Sequence, residues 1–147
     1  MNTIDLTKQP PRSARARLGG YVLLPRMLDK GRASIAGSNG DYHYNCPLDQ
    51  RALEFMGIDA ESLKAALTTA QGDGEILEWI RAHQLHKRSD AEIALWSAHQ
   101  DSRTPSDPDT REFFNGMHKA IAPKRDDIVT WADLLDLDDY VTFGGIA

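Results

Sequence analysis

Three groups of residues in this sequence have types and spacings suited to chemistry. Arg26, Asp29 and Lys30 stand three and four apart, so on a helix Arg26 meets both of the others directly. An arginine oriented by a neighbouring aspartate takes a carboxylate or phosphate through two parallel hydrogen bonds. Arg12, Arg15, Arg17 and Arg32 crowd the same stretch. The plainer reading is a solvated helix face laced by weak ion pairs. The second group is Tyr42-His43-Tyr44-Asn45-Cys46, leading into Pro47. Cys46 stands just before a helix that Pro47 opens, where the helix N-terminus favours a thiolate. His43 is near enough in sequence to act as its base if the loop folds back, which makes the two candidates for catalysis. The plainer reading is an inert core cysteine, with Asn45 as the helix cap and the aromatic residues ordering a loop. Polar aromatic clusters on turns are also where ligand contacts gather. The third group is the five histidines, of which His83 and His86 are three apart. No third ligand follows at a recognisable spacing, and His-Glu-x-x-His, EF-hand and paired Cys-x-x-Cys patterns are absent, so no metal site is expected. His86-Lys87-Arg88 reads as cations near a helix C-terminus, and His118 as a partly buried core residue.

Positioning these groups falls mainly to helices. Leu24, Met27, Leu28, Gly31 and Ile35 share one face of a helix over about 22–36, with Pro25 in its first turn. Arg26, Asp29 and Lys30 take the opposite face and Arg32 the flank. Gly31, inside the apolar stripe, lets another backbone come close. Gly37-Ser38-Asn39-Gly40 is a turn, and Asp41–Tyr44 alternates, so Gly37–Tyr44 is either a short hairpin or a structured loop. A helix carrying Leu48, Ala52, Phe55 and Met56 ends at Gly57. Asp59 caps one in which Leu63, Ala66, Leu67 and Ala70 share a face, and Asp73 caps the next, with Ile76, Leu77 and Ile80 inward. Ser89–Glu92 is a capping box. Asp107-Pro108 opens a helix bearing Phe113, Phe114, Met117 and Ile121. Thr130 and Asp133 open the last, about 131–139. Gln9-Pro10-Pro11 cannot continue a helix, so residues 1–13 form an extended N-terminal arm. The expectation is an all-α fold, a compact irregular bundle of about six to eight helices in a single domain over 1–147.

Composition agrees with that class. The 147 residues are 41% hydrophobic and 27% charged, enough apolar surface for one real core. The longest uncharged apolar run, Tyr21–Leu24, is too short for a membrane span. The N-terminal residues lack a signal-peptide pattern, and one cysteine allows no internal disulfide, so a cytoplasmic protein is expected. Net charge is −5, but residues 1–32 hold seven bases against two acids, and no base follows Arg125. A basic head and an acidic tail imply either an anionic ligand at the head or pairing of head with tail, within a chain or between subunits. No Gly-x-Gly-x-x-Gly, P-loop or Gly-x-Ser-x-Gly is present, so no cofactor is named. Nucleic acid is not expected, because the acidic remainder opposes it.

Two stretches carry a resemblance: Leu18-Gly19-Gly20-Tyr21 through Pro25-Arg26-Met27-Leu28-Asp29-Lys30-Gly31-Arg32-Ala33, then Gly40-Asp41-Tyr42-His43-Tyr44-Asn45-Cys46-Pro47-Leu48-Asp49. With Gly72-Asp73-Gly74-Glu75 before Trp79 and the ending Trp131-Ala132-Asp133-Leu134, the chain resembles small bacterial proteins grouped as domain of unknown function 5069. The resemblance runs from about Asp5 to the last helix. It implies a bacterial, cytoplasmic, stand-alone protein and brings no activity with it.

The residues therefore set up two expectations. In one, Arg26, Asp29, Lys30 and Arg32 line one wall of a pocket for a small anionic ligand. Tyr42, His43, Tyr44 and Asn45 form the loop beside it, and His43 or Cys46 acts if there is a reaction. In the other, the domain is an interaction or self-associating module, a homo-oligomer included, whose basic head docks on the acidic tail or on a partner.

Overall fold

The computed structural model describes residues 3–69 and 71–147. Among them are one two-stranded ribbon and seven helices: β1 Arg17–Leu18, β2 Tyr21–Val22, α1 Leu24–Ala36, α2 Pro47–Met56, α3 Ala60–Leu67, α4 Asp73–His83, α5 Asp90–Ser102, α6 Pro108–Ile121 and α7 Trp131–Thr142. The all-α expectation holds. Ala70, assigned above to the α3 face, lies outside the described residues, as do residues 1–2 of the arm.

Of the two expectations for Gly37–Tyr44 the structured loop holds, and a hairpin forms earlier in the chain. β1 and β2 pair antiparallel, Arg17 with Val22 and Leu18 with Tyr21. Gly19 and Gly20, at φ 58° and 82°, make the two-residue turn, because a tight hairpin needs positive φ at both central positions. Ser97 of α5 fastens the ribbon: its buried hydroxyl donates to the Gly20 carbonyl at 2.7 Å and accepts from the Val22 N–H at 3.0 Å. Residues 37–46 instead run as turns into α2.

Capping explains most helix starts. Asp59, Ser89, Asp107 and Thr130 each accept a backbone N–H of the first turn, the last three as reciprocal boxes. Two expected caps are corrected. Cys46, not Asn45, is the residue before α2; Asn45 takes a left-handed φ of 62° and its N–H donates to the Asp49 carboxylate at 2.9 Å. Gly72 precedes α4, and Asp73 is the first helical residue, its carboxylate taken by arginines.

The main core gathers Tyr21, Leu24, Met27, Leu28, Met56, Leu63, Ile76 and Ile80 from α1–α4 and the ribbon. A second cluster forms where α6 and α7 meet, around Phe114, Ile128, Leu134 and Leu137. Ala14, Val22 and Leu23 form a third, with Leu48, Trp96 and Leu135 packed against it from α2, α5 and α7. The N-terminal arm is laid on this body: Leu6 is 1% exposed and its N–H donates to the Ser38 carbonyl at 2.9 Å.

Candidate functional site

Helix α1 runs through the middle of the molecule, and every residue from Tyr21 to Lys30 is buried. The charged face of α1 is therefore not a solvated one: Arg26, Asp29 and Lys30 are 5%, 4% and 4% exposed. Burial is tolerated because each charge has a partner. Arg26 reaches α7 and donates to Asp139 at 2.7 Å, and also to the Arg12 carbonyl at 3.2 Å. Lys30 reaches α2 and donates to Asp49 at 2.9 Å and to the Cys46 sulfur at 3.2 Å. Asp29 turns to the opposite side and accepts from the Arg12 backbone N–H and guanidinium at 2.9 and 3.0 Å.

This splits the expected site in two. Arg26 and Lys30, one turn apart, line a cavity of about 740 Å³ together with Tyr42, His43, Cys46 and Asp138. Leu6, Leu48, Leu135 and Phe143 supply its apolar surface. Asp29 and Arg32 lie instead in a four-membered network with Arg12 and Asp73, in which Arg12 and Arg32 reach the Asp73 carboxylate at 2.6 and 2.7 Å. Partial burial alone would raise the Asp73 pKa, but the two arginine hydrogen bonds outweigh it and hold the carboxyl below its usual range. That network borders a separate, smaller cavity of about 240 Å³.

The loop divides similarly. The Tyr42 ring lies under the Arg26 guanidinium at 5.5 Å, and its hydroxyl donates to Asp139 at 2.7 Å. Burial and that carboxylate push the Tyr42 hydroxyl pKa upward, so it remains a donor. Tyr44 points the other way: its hydroxyl donates to the Ala60 carbonyl at 2.6 Å and its ring packs on Gly31. What Gly31 admits is thus the Tyr44 ring and the Leu67 side chain, not another backbone. Asn45 borders a further depression beside α3. His43 is exposed at the cavity edge, and the group against the Cys46 sulfur is the Lys30 ammonium.

Residue spacing missed the acids that complete the site. Asp49 is fully enclosed and serves both the Lys30 ammonium and the Asn45 N–H. Its signal was its place three residues after Cys46, in the first turn of α2. Asp139 comes from the last turn of α7, where the helix dipole disfavours negative charge and which holds no base, and Asp138 immediately precedes it. Asp139 is compensated by Arg26 and Tyr42, whereas Asp138 has no hydrogen-bond or ion-pair partner among the described residues. Burial and the Asp139 charge raise the Asp138 pKa against the opposing pull of Arg26.

No metal constellation accompanies this arrangement: among the described residues no three His, Cys, Asp or Glu side chains are placed to hold an ion. His83 stacks on Trp79, and His86 lies against Gly57. Arg88 sits over the Phe55 ring and donates to its carbonyl at 3.1 Å, closing the end of α2. Among the described residues no helix is long and apolar enough to cross a membrane.

The fold and site thus define an all-helical domain whose central helix carries buried ion pairs along the wall of a cavity. The chain belongs to the family described as domain of unknown function 5069, whose model matches residues 8–141. No curated protein matches it.

Proposed function

We propose that this chain is a small-molecule-binding domain, with the ligand held between α1, the 40–46 loop and α7 and an anionic group of the ligand set against Arg26 and Lys30. The observation that carries this reading is the burial of two ion pairs, Arg26–Asp139 and Lys30–Asp49, in the wall of one cavity. A buried ion pair seldom improves stability over well-packed apolar residues, so two of them on one wall favour a role in recognition. Both cations keep donor capacity. Arg26 makes three hydrogen bonds to protein acceptors, and a guanidinium has about five N–H groups to give. A cavity of about 740 Å³ suits a metabolite-sized ligand. The setting we infer is a bacterial cytoplasm, on the likeness of the motifs and the single cysteine.

The rival reading, docking of the basic head on a partner, has less support. Arg15 is bonded to Asp133 and Asp136 of α7 and Arg17 to Asp101, all within one chain. Those charges are already matched.

Thermal unfolding against phosphorylated and carboxylated small molecules, at ionic strength matched with sodium chloride, tests the proposal. A bound compound at about 100 times its Kd adds about 2.7 kcal/mol, a shift of several degrees. The shift should disappear in His43→Ala and shrink in Arg26→Lys, which keeps the charge but loses the planar fork. A melting temperature that no anion-bearing compound moves would sink the reading.

A further inference from the structure

The cavity presents a second, opposite chemistry. Its two cations each hold one carboxylate, Asp139 and Asp49, and the lining also contains Asp138 and Asp41. Asp41 is at the exposed rim. Asp138 is on the same face of α7 as Leu135 and Thr142, both cavity residues, so it belongs to the part of the lining that α7 supplies. Partial burial and the adjacent Asp139 work against its charge, and only Arg26 favours it. The cation nearest to it in its own surroundings, Arg26, is committed to Asp139 at 2.7 Å. This half-buried carboxylate, without a hydrogen-bond or ion-pair partner among the described residues, lines the same cavity as Arg26 and Lys30.

We infer that the ligand is zwitterionic: an anionic phosphate or carboxylate lies against Arg26 and Lys30, and an ammonium group of the same molecule is received by Asp138. This rests on the binding reading above and narrows its ligand class. A purely anionic ligand would meet Asp138 and Asp41 as uncompensated repulsion, whereas an ammonium turns the Asp138 carboxylate into an acceptor of charge-assisted hydrogen bonds.

Matched probes separate the two claims. Phosphoethanolamine and 4-aminobutyrate carry both charges, ethyl phosphate and butyrate the anion alone, and ethanolamine the ammonium alone. Each is titrated calorimetrically into the wild type and Asp138→Asn at matched ionic strength, since unpaired surface charges respond to salt. The expected result is that at least one zwitterion binds the wild type about tenfold or more tighter than its anion-only counterpart. In Asp138→Asn that advantage disappears, while anion-only binding is unchanged or stronger. Without ligand, Asp138→Asn should melt above the wild type near neutral pH. The gain should fade as pH falls through the raised folded-state value and be gone below the ordinary aspartate value of 3.8, where the wild-type carboxyl is neutral in both states; Asp139, Arg26, Lys30, Asp41, Tyr42, His43 and Cys46 are the charged or titratable groups sharing its surroundings. Equal binding of zwitterion and anion, or an Asp138→Asn protein that keeps the zwitterion's advantage or melts lower, overturns the inference and leaves the anion pocket standing. No binding by any of the four anion-bearing probes overturns both.

Discussion

Arg26 joins three parts of the molecule through one guanidinium: α1 holds it, α7 supplies Asp139, and the arm supplies the Arg12 carbonyl. Tyr42 adds a hydroxyl to the same carboxylate and a ring face to the same cation. Removing one member leaves an opposite charge enclosed without a partner, and that loss exceeds the net worth of the pair. Arg26→Leu should therefore cost about 3–5 kcal/mol. Adding Asp139→Leu should recover most of that loss, because no buried charge is then left over. Urea unfolding of the two single variants and the double variant measures this. A single variant within about 1 kcal/mol of wild type would contradict the enclosed ion pair.

At the level of elements, α1 is positioned by what its small residue admits. Gly31 is buried in mid-helix, where alanine ordinarily gains about 1 kcal/mol. Here a Cβ would come within 2.7 Å of the Leu67 side chain and 3.2 Å of the Tyr44 ring. Leu67 is enclosed, and the Tyr44 ring is pinned through its hydroxyl to the Ala60 carbonyl, so neither gives way freely. Gly31→Ala should be destabilising by about 1–3 kcal/mol, the range for overpacking a filled core, and thermal unfolding will show the sign. A stabilised variant would mean that α3 and the loop yield easily. The same contact sets the spacing of α1 from α3.

At the scale of the whole molecule, the charge asymmetry of the chain closes on itself. The basic segment before α1 crosses α7 through Arg15 and Ser13, and α4 through Arg12. These contacts depend on ionised carboxylates. Partial burial alone would raise Asp133, but hydrogen bonds from the Thr130 and Val129 backbone and the Arg15 charge hold its pKa below 3.8; arginine hydrogen bonds do the same for Asp73. A carboxyl whose folded-state pKa is depressed contributes stability that is present above its unfolded value and lost as pH falls through the folded one. The urea midpoint, followed by tryptophan fluorescence, should therefore stay nearly level from about pH 7 to about pH 5 and drop below about pH 4. A midpoint that rises on acidification would show that Asp138, whose pKa is shifted the opposite way, dominates the balance.

Local signals were legible in the amino-acid order. Apolar spacing located α1 to α7, and Ser89, Asp107 and Thr130 marked their own helix starts, because periodicity and capping act within a few residues. Gly19 and Gly20 could have marked the ribbon, but so short a ladder leaves little alternation to read. The pairing of Arg15 with α7 lay within one of the two readings of the charge asymmetry. What spacing could not reveal was which face of α1 is solvated. Helical periodicity separates an apolar stripe from a charged one, and the charged stripe looks like a surface until some other element covers it. Here α7, more than a hundred residues later, and α2 bring Asp139 and Asp49 to it. Only the tertiary structure sent Asp29 and Arg32 to one side and Arg26 and Lys30 to the other, turned Tyr44 away from Tyr42, and left Asp138 in the cavity lining without a partner among the described residues. Local order is enough to set the helices and the residues able to carry charge; the packing of distant segments decides which of those charges meet one another.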